Sequence, residues 1–414
     1  VPEWDAVPTG LGHNQTVTSD GNPGKNPGTA VAANAATDHR DAAAPVAGNE
    51  RITNLDTVRG VATLGILIMN AVSFGLPDPA YFNIDAAGSD RTIDRIVGIL
   101  GEIFVDQKTM ALFSLLFGAG IVVFADRAEA KGYRATPLSL WRNLLLLGIG
   151  LAHSMLWEGD ILTVYALCAP ALLLLRKQSP RLLLVVGTSL VLSSAVVAAM
   201  AQTTVDPNGA GLGDYWFLDR GGMGDGVGLF LLFDFFARAL GMMLIGVALY
   251  RLDIVQGNRD SGFYRRMAFV GLGVGLPIAA SGIAWQLAAD FSPDIAVISQ
   301  APNTVATIPV ALGYLGLITL WNRSRETGLH LRVRAVGRMA LTNYLAHSII
   351  GVTVLRVIFD RGQFGRATIA GFVVSVWVLQ LLWSKPWLQR FAFGPFEWAW
   401  RCATYRKLQP IRRG

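Results

Sequence analysis

Four stretches of the sequence carry residue types able to do chemistry, at spacings that bring them together. In LAHSMLWEGDILTVYALCAP, residues 151 to 170, His153 and Trp157 are four apart and share a helix face, and Glu158, Asp160 and Tyr165 crowd the turn between two apolar segments. A His beside a carboxylate is the minimum for general-base catalysis, because the carboxylate fixes the imidazole tautomer and stabilises its charged form. The same residues also read as a helical hairpin, in which Asp160 caps the second helix, Trp157 sits at a membrane interface and His153 bonds a neighbouring helix.

The other three stretches are less concentrated. LDTVRGVATLGILIMN, residues 55 to 70, opens an apolar segment with Asp56 and Arg59 and carries Asn70 eleven residues on, roughly 16 Å farther along a helix. GRMALTNYLAHSII, residues 337 to 350, interrupts an apolar helix with Arg338, Thr342, Asn343, His347 and Ser348. These either line a polar path toward the membrane centre or bond helices to one another. FGPFEWAWR, residues 393 to 401, reads as an amphipathic segment on the membrane surface, or as a lid whose Arg401, with Arg406 beyond it, meets phosphates. Arg238, inside another apolar segment, requires an acidic partner, and Asp234 lies one turn earlier.

The elements that must position these residues are membrane helices. Of 414 residues, 52% are apolar and 15% charged, against about 25% charged in a soluble domain, and mean hydropathy is +0.43. Eleven apolar segments follow one another at about 57–76, 92–107, 109–126, 140–158, 160–176, 181–201, 228–250, 264–288, 304–322, 337–359 and 366–389. The second and third are short and run together through Asp106-Gln107-Lys108, the pattern of a broken or re-entrant unit. Lys and Arg concentrate in alternate loops, where 26 of the 35 lie. Cytoplasmic loops hold the basic residues of membrane proteins, so the alternation predicts ten net crossings of an inner membrane, with both termini cytoplasmic. This organisation comprises a polar tail over 1–50, a helical membrane domain over 51–392 and a basic amphipathic segment over 393–414. The tail has no basic stretch leading into an apolar one, so insertion is expected to rely on the first spanning helix.

Several functions are disfavoured on composition. The net charge of +6 is spread over six loops, whereas nucleic-acid binding needs a compact basic patch with stacking aromatics. Cys168 and Cys402 lie far apart and imply no disulfide framework. The five His form no metal-ligand spacing, and GMGDGVG at 222–228 lacks the Lys of a phosphate loop.

Taken in order, LDTVRGVATLGILIMN, LFSLLFGAG at 112–120, H-x-x-x-W-x-GDIL-x-x-YA from His153, GRMALTNYL and FGPFEWAWR resemble the pattern of the YeiB-type inner-membrane proteins over about residues 51–408. The opening helix is also distantly similar to that of the transmembrane acyltransferases, the acyltransferase-three proteins and heparan-alpha-glucosaminide N-acetyltransferase among them. That resemblance implies transfer of an acyl group across a membrane from an acyl-coenzyme A donor. Many acyltransferase-three proteins carry Arg, ten residues, then a catalytic His; here Arg59 is followed at that spacing by Asn70, and residues 71–91 contain no His. His153 is thereby left as the candidate base, with Asp160 orienting it, Asn70 donating to an oxyanion, and Arg59, Arg338 and Arg401 meeting donor phosphates. Asp56, Trp157, Tyr165, Asn343 and His347 complete the expected polar pocket. The expected partners are membrane lipids and an envelope glycan or lipid acceptor, with a homo-oligomer or an envelope-assembly partner in addition. Two other classes fit the same residues: a transporter or lipid flippase, and a non-catalytic scaffold of envelope assembly.

Overall fold

The computed structural model describes residues 52–412; the tail expected over 1–50 lies outside the described residues. The described chain is all-helical, and its sole β feature is an isolated antiparallel bridge between Phe391 and Arg412. Helices run in the order α1 (Thr53–Gly75), α2 (Thr92–Phe104), α3 (Lys108–Ala130), α4 (Ala135–Ser154), α5 (Leu162–Leu175), α6 (Pro180–Gln202) and α7 (Asp225–Arg251). They continue with α8 (Ser261–Ala288), α9 (Ala301–Asn322), α10 (Gly328–Arg338), α11 (Ala340–Val352), α12 (Arg366–Arg390) and α13 (Pro395–Tyr405). Among the described residues nine helical stretches are long and apolar enough to cross a membrane, taking α2 with α3 as one, while α5 is a shorter apolar helix. The protein is a multi-pass helical membrane protein, because only structures that satisfy their own backbone polar groups survive in lipid.

The core is built on α1, α3 and α7, whose inward faces form one large apolar cluster with α5, α9 and α11. Glycine sets the closest crossing of the site. A β-carbon on Gly60 would stand 2.1 Å from the Val333 carbonyl oxygen, and one on Gly337 2.0 Å from that of Asp56. Only residues without a side chain permit this contact between α1 and α10, and it brings Arg59 and Arg338 to the same end of the bundle.

The break between α2 and α3 falls at the charged residues that announced it. Gln107 takes a positive φ of 62°. Lys108, wholly buried, donates to the Glu102 carbonyl at 2.5 Å and to Asn303 Oδ1, and Asn303 Nδ2 donates to Asp106 Oδ2 at 2.8 Å. Nearby, Asp234 pairs with Arg238 one turn on and accepts from Ser194. Such internal pairing is what makes a helix break and buried charge tolerable at membrane depth. The segment expected over 337–359 is also divided: α10 ends at Arg338, Met339 interrupts the helix, α11 begins at Ala340, and Thr353–Ile358 finishes as a π-helical turn.

Candidate active site

The turn between α4 and α5 folds His153 back onto Asp160. His153 Nδ1 lies 2.7 Å from Asp160 Oδ1, with both side chains almost fully buried. An ionised carboxylate only accepts, so Nδ1 carries the proton and Nε2 presents its lone pair. The other oxygen, Oδ2, accepts from the Thr163 amide at 2.8 Å and the Thr163 hydroxyl at 3.0 Å. Asp160 thus holds the first turn of α5 and orients the imidazole together. Burial opposes ionisation of Asp160, but donation from His153 and from Thr163 holds its carboxyl below the usual range. Gly150 makes room for this fold-back, since a β-carbon there would meet Thr163 N at 2.7 Å and Asp160 Oδ2 at 2.9 Å.

His153 Nε2 is buried and has no hydrogen-bond partner among the described residues, and the same holds for Asn70 Nδ2. Trp157 joins His153 to the last turn of α1. Its indole donates to Ser73 Oγ at 3.1 Å and meets the Phe74 ring edge-on at 4.8 Å, while its ring centroid is 6.1 Å from that of His153. Asn70 precedes Phe74 by one turn and shares its helix face. Arg356, on the π-helical turn, donates to the Ser73 and Phe74 carbonyls and reaches Glu158 at 3.3 Å. It closes the end of α1 against the α4–α5 turn.

A cavity of about 220 Å³ enters from the end of the bundle that carries Arg59. Its mouth is lined by Arg59, Arg142, Arg338, Glu397 and Trp400, and its inner walls by Phe113, Leu146, Leu162 and Tyr344. On α3 the lining runs from Phe124 to Phe113, roughly 16 Å of helix. A second cleft of about 220 Å³ shares Arg59 and Arg338 and adds Asp56, Arg127 and Phe393. Arg142 is sandwiched between the Phe124 and Trp400 rings at 4.3 and 4.0 Å. The C-terminal helix α13 covers the mouth: Glu397 accepts from the Thr342 amide at 3.0 Å and the Thr342 hydroxyl at 2.5 Å, and Trp400 donates to the Arg142 carbonyl. The Glu397 residue keeps some surface exposed, yet its carboxyl is enclosed by Thr342 and Gly394, and burial pushes it up despite those donors.

The expected residues divide into those brought together and those set apart. His153, Asp160 and Trp157 gather at one end of the core, and Asn70 lies one turn before Phe74, which Trp157 contacts. Arg59 and Arg338 line the cavity at the other, with Asp56 3.6 Å from Arg59. Tyr165 is buried in the core, 2.8 Å from the Ser114 hydroxyl, and stacks with Phe117. Arg401 stacks on Phe393 and Tyr405, while Arg142, not singled out by the sequence, occupies the mouth. Asn343 and His347 turn toward α12. His347 Nε2 is 2.9 Å from Gln380 Oε1, Gln380 donates to the Asn343 carbonyl, and Asn343 bonds Ser384 and Trp383. They join helices and do not line the cavity. One residue that sequence reasoning missed connects the two ends: Tyr344 lines the cavity and places its hydroxyl 3.3 Å from Asp160 Oδ1. Among the described residues no three His, Cys, Asp or Glu side chains gather as metal ligands.

The family model described as "Protein of unknown function (DUF418)" matches residues 249–407. The chain is 33% identical to the uncharacterized protein YeiB of Escherichia coli over 387 residues, covering 87% of this chain and 98% of that protein. It is 31% identical to the uncharacterized protein YxaH of Bacillus subtilis, covering 89% and 98%. It is also 27% identical to an uncharacterized 39.9 kDa protein from the amylase 3' region of Bacillus acidopullulyticus, covering 89% and 97%. No solved structure matches the chain significantly. With a relative above 30% identity aligned over nearly the whole length of both proteins, the chain belongs to the YeiB family of multi-pass membrane proteins.

Proposed function

We propose that the protein is a membrane-embedded acyltransferase, taking an acyl group from a cytoplasmic thioester donor and delivering it to a hydroxyl or amine of an envelope glycan or lipid. The observation that carries this reading is the continuity of the site: an Arg-lined cavity with apolar inner walls ends at Tyr344, whose hydroxyl touches the His153–Asp160 pair. A phosphate-bearing donor such as acyl-coenzyme A suits the mouth, where Arg59, Arg142 and Arg338 meet its phosphates, and its acyl arm suits the apolar walls. Arg401 supports the mouth through Phe393. His153 Nε2 takes the acceptor proton, Asp160 stabilises the imidazolium, and the Asn70 amide donates to the oxyanion. The basic loops orient this mouth, and both termini, toward the cytoplasm of an inner membrane.

The experiment is binding of coenzyme A and acetyl-coenzyme A to the detergent-purified protein by thermal shift. Saturation at 100 times the dissociation constant adds about 2.7 kcal/mol of apparent stability. The shift is expected in the wild type and weakened in Arg59→Ala and Arg142→Ala; no shift with either ligand refutes the reading.

One observation favours transport instead. Glu102, Asp106, Lys108, Asp234 and Arg238 concentrate charge at membrane depth, which is common in translocation paths. Substrate movement without covalent change in proteoliposomes would establish that alternative.

A further inference from the structure

Tyr344 stands where the two halves of the site meet. It is 1% exposed, its ring centroid is 5.3 Å from that of His153, and it forms part of the cavity wall. Its hydroxyl reaches Asp160 Oδ1 at 3.3 Å and accepts from the Ile161 amide at 3.4 Å. Neither bond is short. Asp160 meanwhile holds three closer donors, His153 Nδ1 at 2.7 Å, Thr163 N at 2.8 Å and Thr163 Oγ1 at 3.0 Å. The carboxylate therefore does not depend on the tyrosine, whose single proton is only loosely committed to it. Tyr344 is the cavity-wall residue that bonds the His153–Asp160 pair, so a carbonyl group brought from the cavity to a nucleophile held by His153 Nε2 comes close to this hydroxyl.

We propose that Tyr344 is a catalytic residue, whose hydroxyl turns from Asp160 to the carbonyl oxygen of the donor and stabilises the oxyanion formed there. The proposal rests on the acyl-transfer reading and assigns the residue that joins its donor cavity to its base. The step balances as follows. The acceptor oxygen or nitrogen bonds to the thioester carbon while His153 Nε2 takes its proton, and the carbonyl oxygen becomes an oxyanion held by Tyr344 from α11 and Asn70 from α1. The carbonyl then re-forms as the carbon–sulfur bond breaks, and the thiolate leaves as a thiol with the proton from His153. Freed of Tyr344 during the step, Asp160 Oδ1 is left wholly to the imidazolium.

The test uses the purified full-length protein hydrolysing acetyl-coenzyme A, with water as acceptor and free thiol as the readout. Tyr344→Phe keeps the ring and the cavity wall. It is expected to lower kcat by about 10²- to 10³-fold, the usual effect of removing one oxyanion donor, while KM and coenzyme A binding stay within about threefold. Tyr344→Leu, a second way of removing the hydroxyl, is expected to show the same loss of kcat. Wild-type kcat in either folded variant, or an effect confined to KM, overturns the assignment. A His153→Ala variant separates the two levels of the argument. Turnover that depends on His153 but not on Tyr344 refutes Tyr344 alone, whereas no thiol release from the wild type above buffer refutes the acyl-transfer reading and Tyr344 with it.

Discussion

On the acyl-transfer reading, replacing Asp160 by Asn separates catalysis from folding. Asp160 takes four hydrogen bonds, from His153, Tyr344 and twice from Thr163. An Asn of the same shape keeps its oxygen toward Thr163, where the backbone amide can only donate, and so turns its NH₂ toward His153. The imidazole then accepts at Nδ1 and must carry its proton on Nε2, the atom that faces the reaction. The two Thr163 bonds are kept and the contacts to His153 and Tyr344 survive with reversed polarity, so stability should change by no more than about 1–2 kcal/mol. The base is nonetheless lost, and turnover should fall by about 10³- to 10⁴-fold, or 4–5.5 kcal/mol of barrier. The assay is thiol release from acetyl-coenzyme A by protein that elutes as one species and melts within a few degrees of the wild type. Turnover within threefold of wild type would refute the assignment of His153 and Asp160 as base and orienting group.

Three further outcomes follow from the packing. Because burial raises the Glu397 carboxyl, the folded state holds its proton to higher pH than the unfolded one, and docking of α13 should weaken as pH rises above the ordinary glutamic range. Hydrogen exchange over residues 395–405, corrected for its intrinsic pH dependence, should show this loosening in the wild type and not in Glu397→Gln. Asp234→Ala leaves the Arg238 guanidinium buried without its carboxylate and should destabilise by about 3–5 kcal/mol, whereas Asp234→Leu with Arg238→Met should restore most of that in thermal melts. Gly337→Val places a side chain against the Asp56 carbonyl, 2.0 Å from its first carbon. On the same reading it should abolish coenzyme A binding by parting α1 from α10, with membrane insertion retained.

The spans were legible because hydropathy and helix length are local properties of the chain. Asp106-Gln107-Lys108 likewise marked the break after α2, since charge inside an apolar run must be paired or face a cavity. The hairpin gave up His153 and Asp160 because seven residues and a tight turn suffice to bring them together. Tyr344 was not legible: an aromatic residue in an apolar helix reads as core, and only its neighbours on α3, α4 and α5 make it a cavity wall. Arg142 stands at the start of the apolar segment over 140–158 with no chemistry-bearing neighbour in sequence, and its place between Phe124 and Trp400 depends on the docking of α13. His347 and Asn343 could not be resolved from spacing alone, as their partners Gln380, Trp383 and Ser384 lie on α12. The break at Met339 and the π-helical turn that presents Arg356 left no comparable mark in the hydropathy of residues 337–359.

The central claim is that one cavity delivers a thioester from the Arg-lined mouth to His153. An electron cryo-microscopy structure of the protein with a non-hydrolysable acyl-coenzyme A analogue tests it most directly. The account predicts phosphates at Arg59, Arg142 and Arg338, and the acyl carbonyl between Tyr344 and His153. An analogue bound elsewhere, or a cavity left empty at saturating concentration, would contradict it.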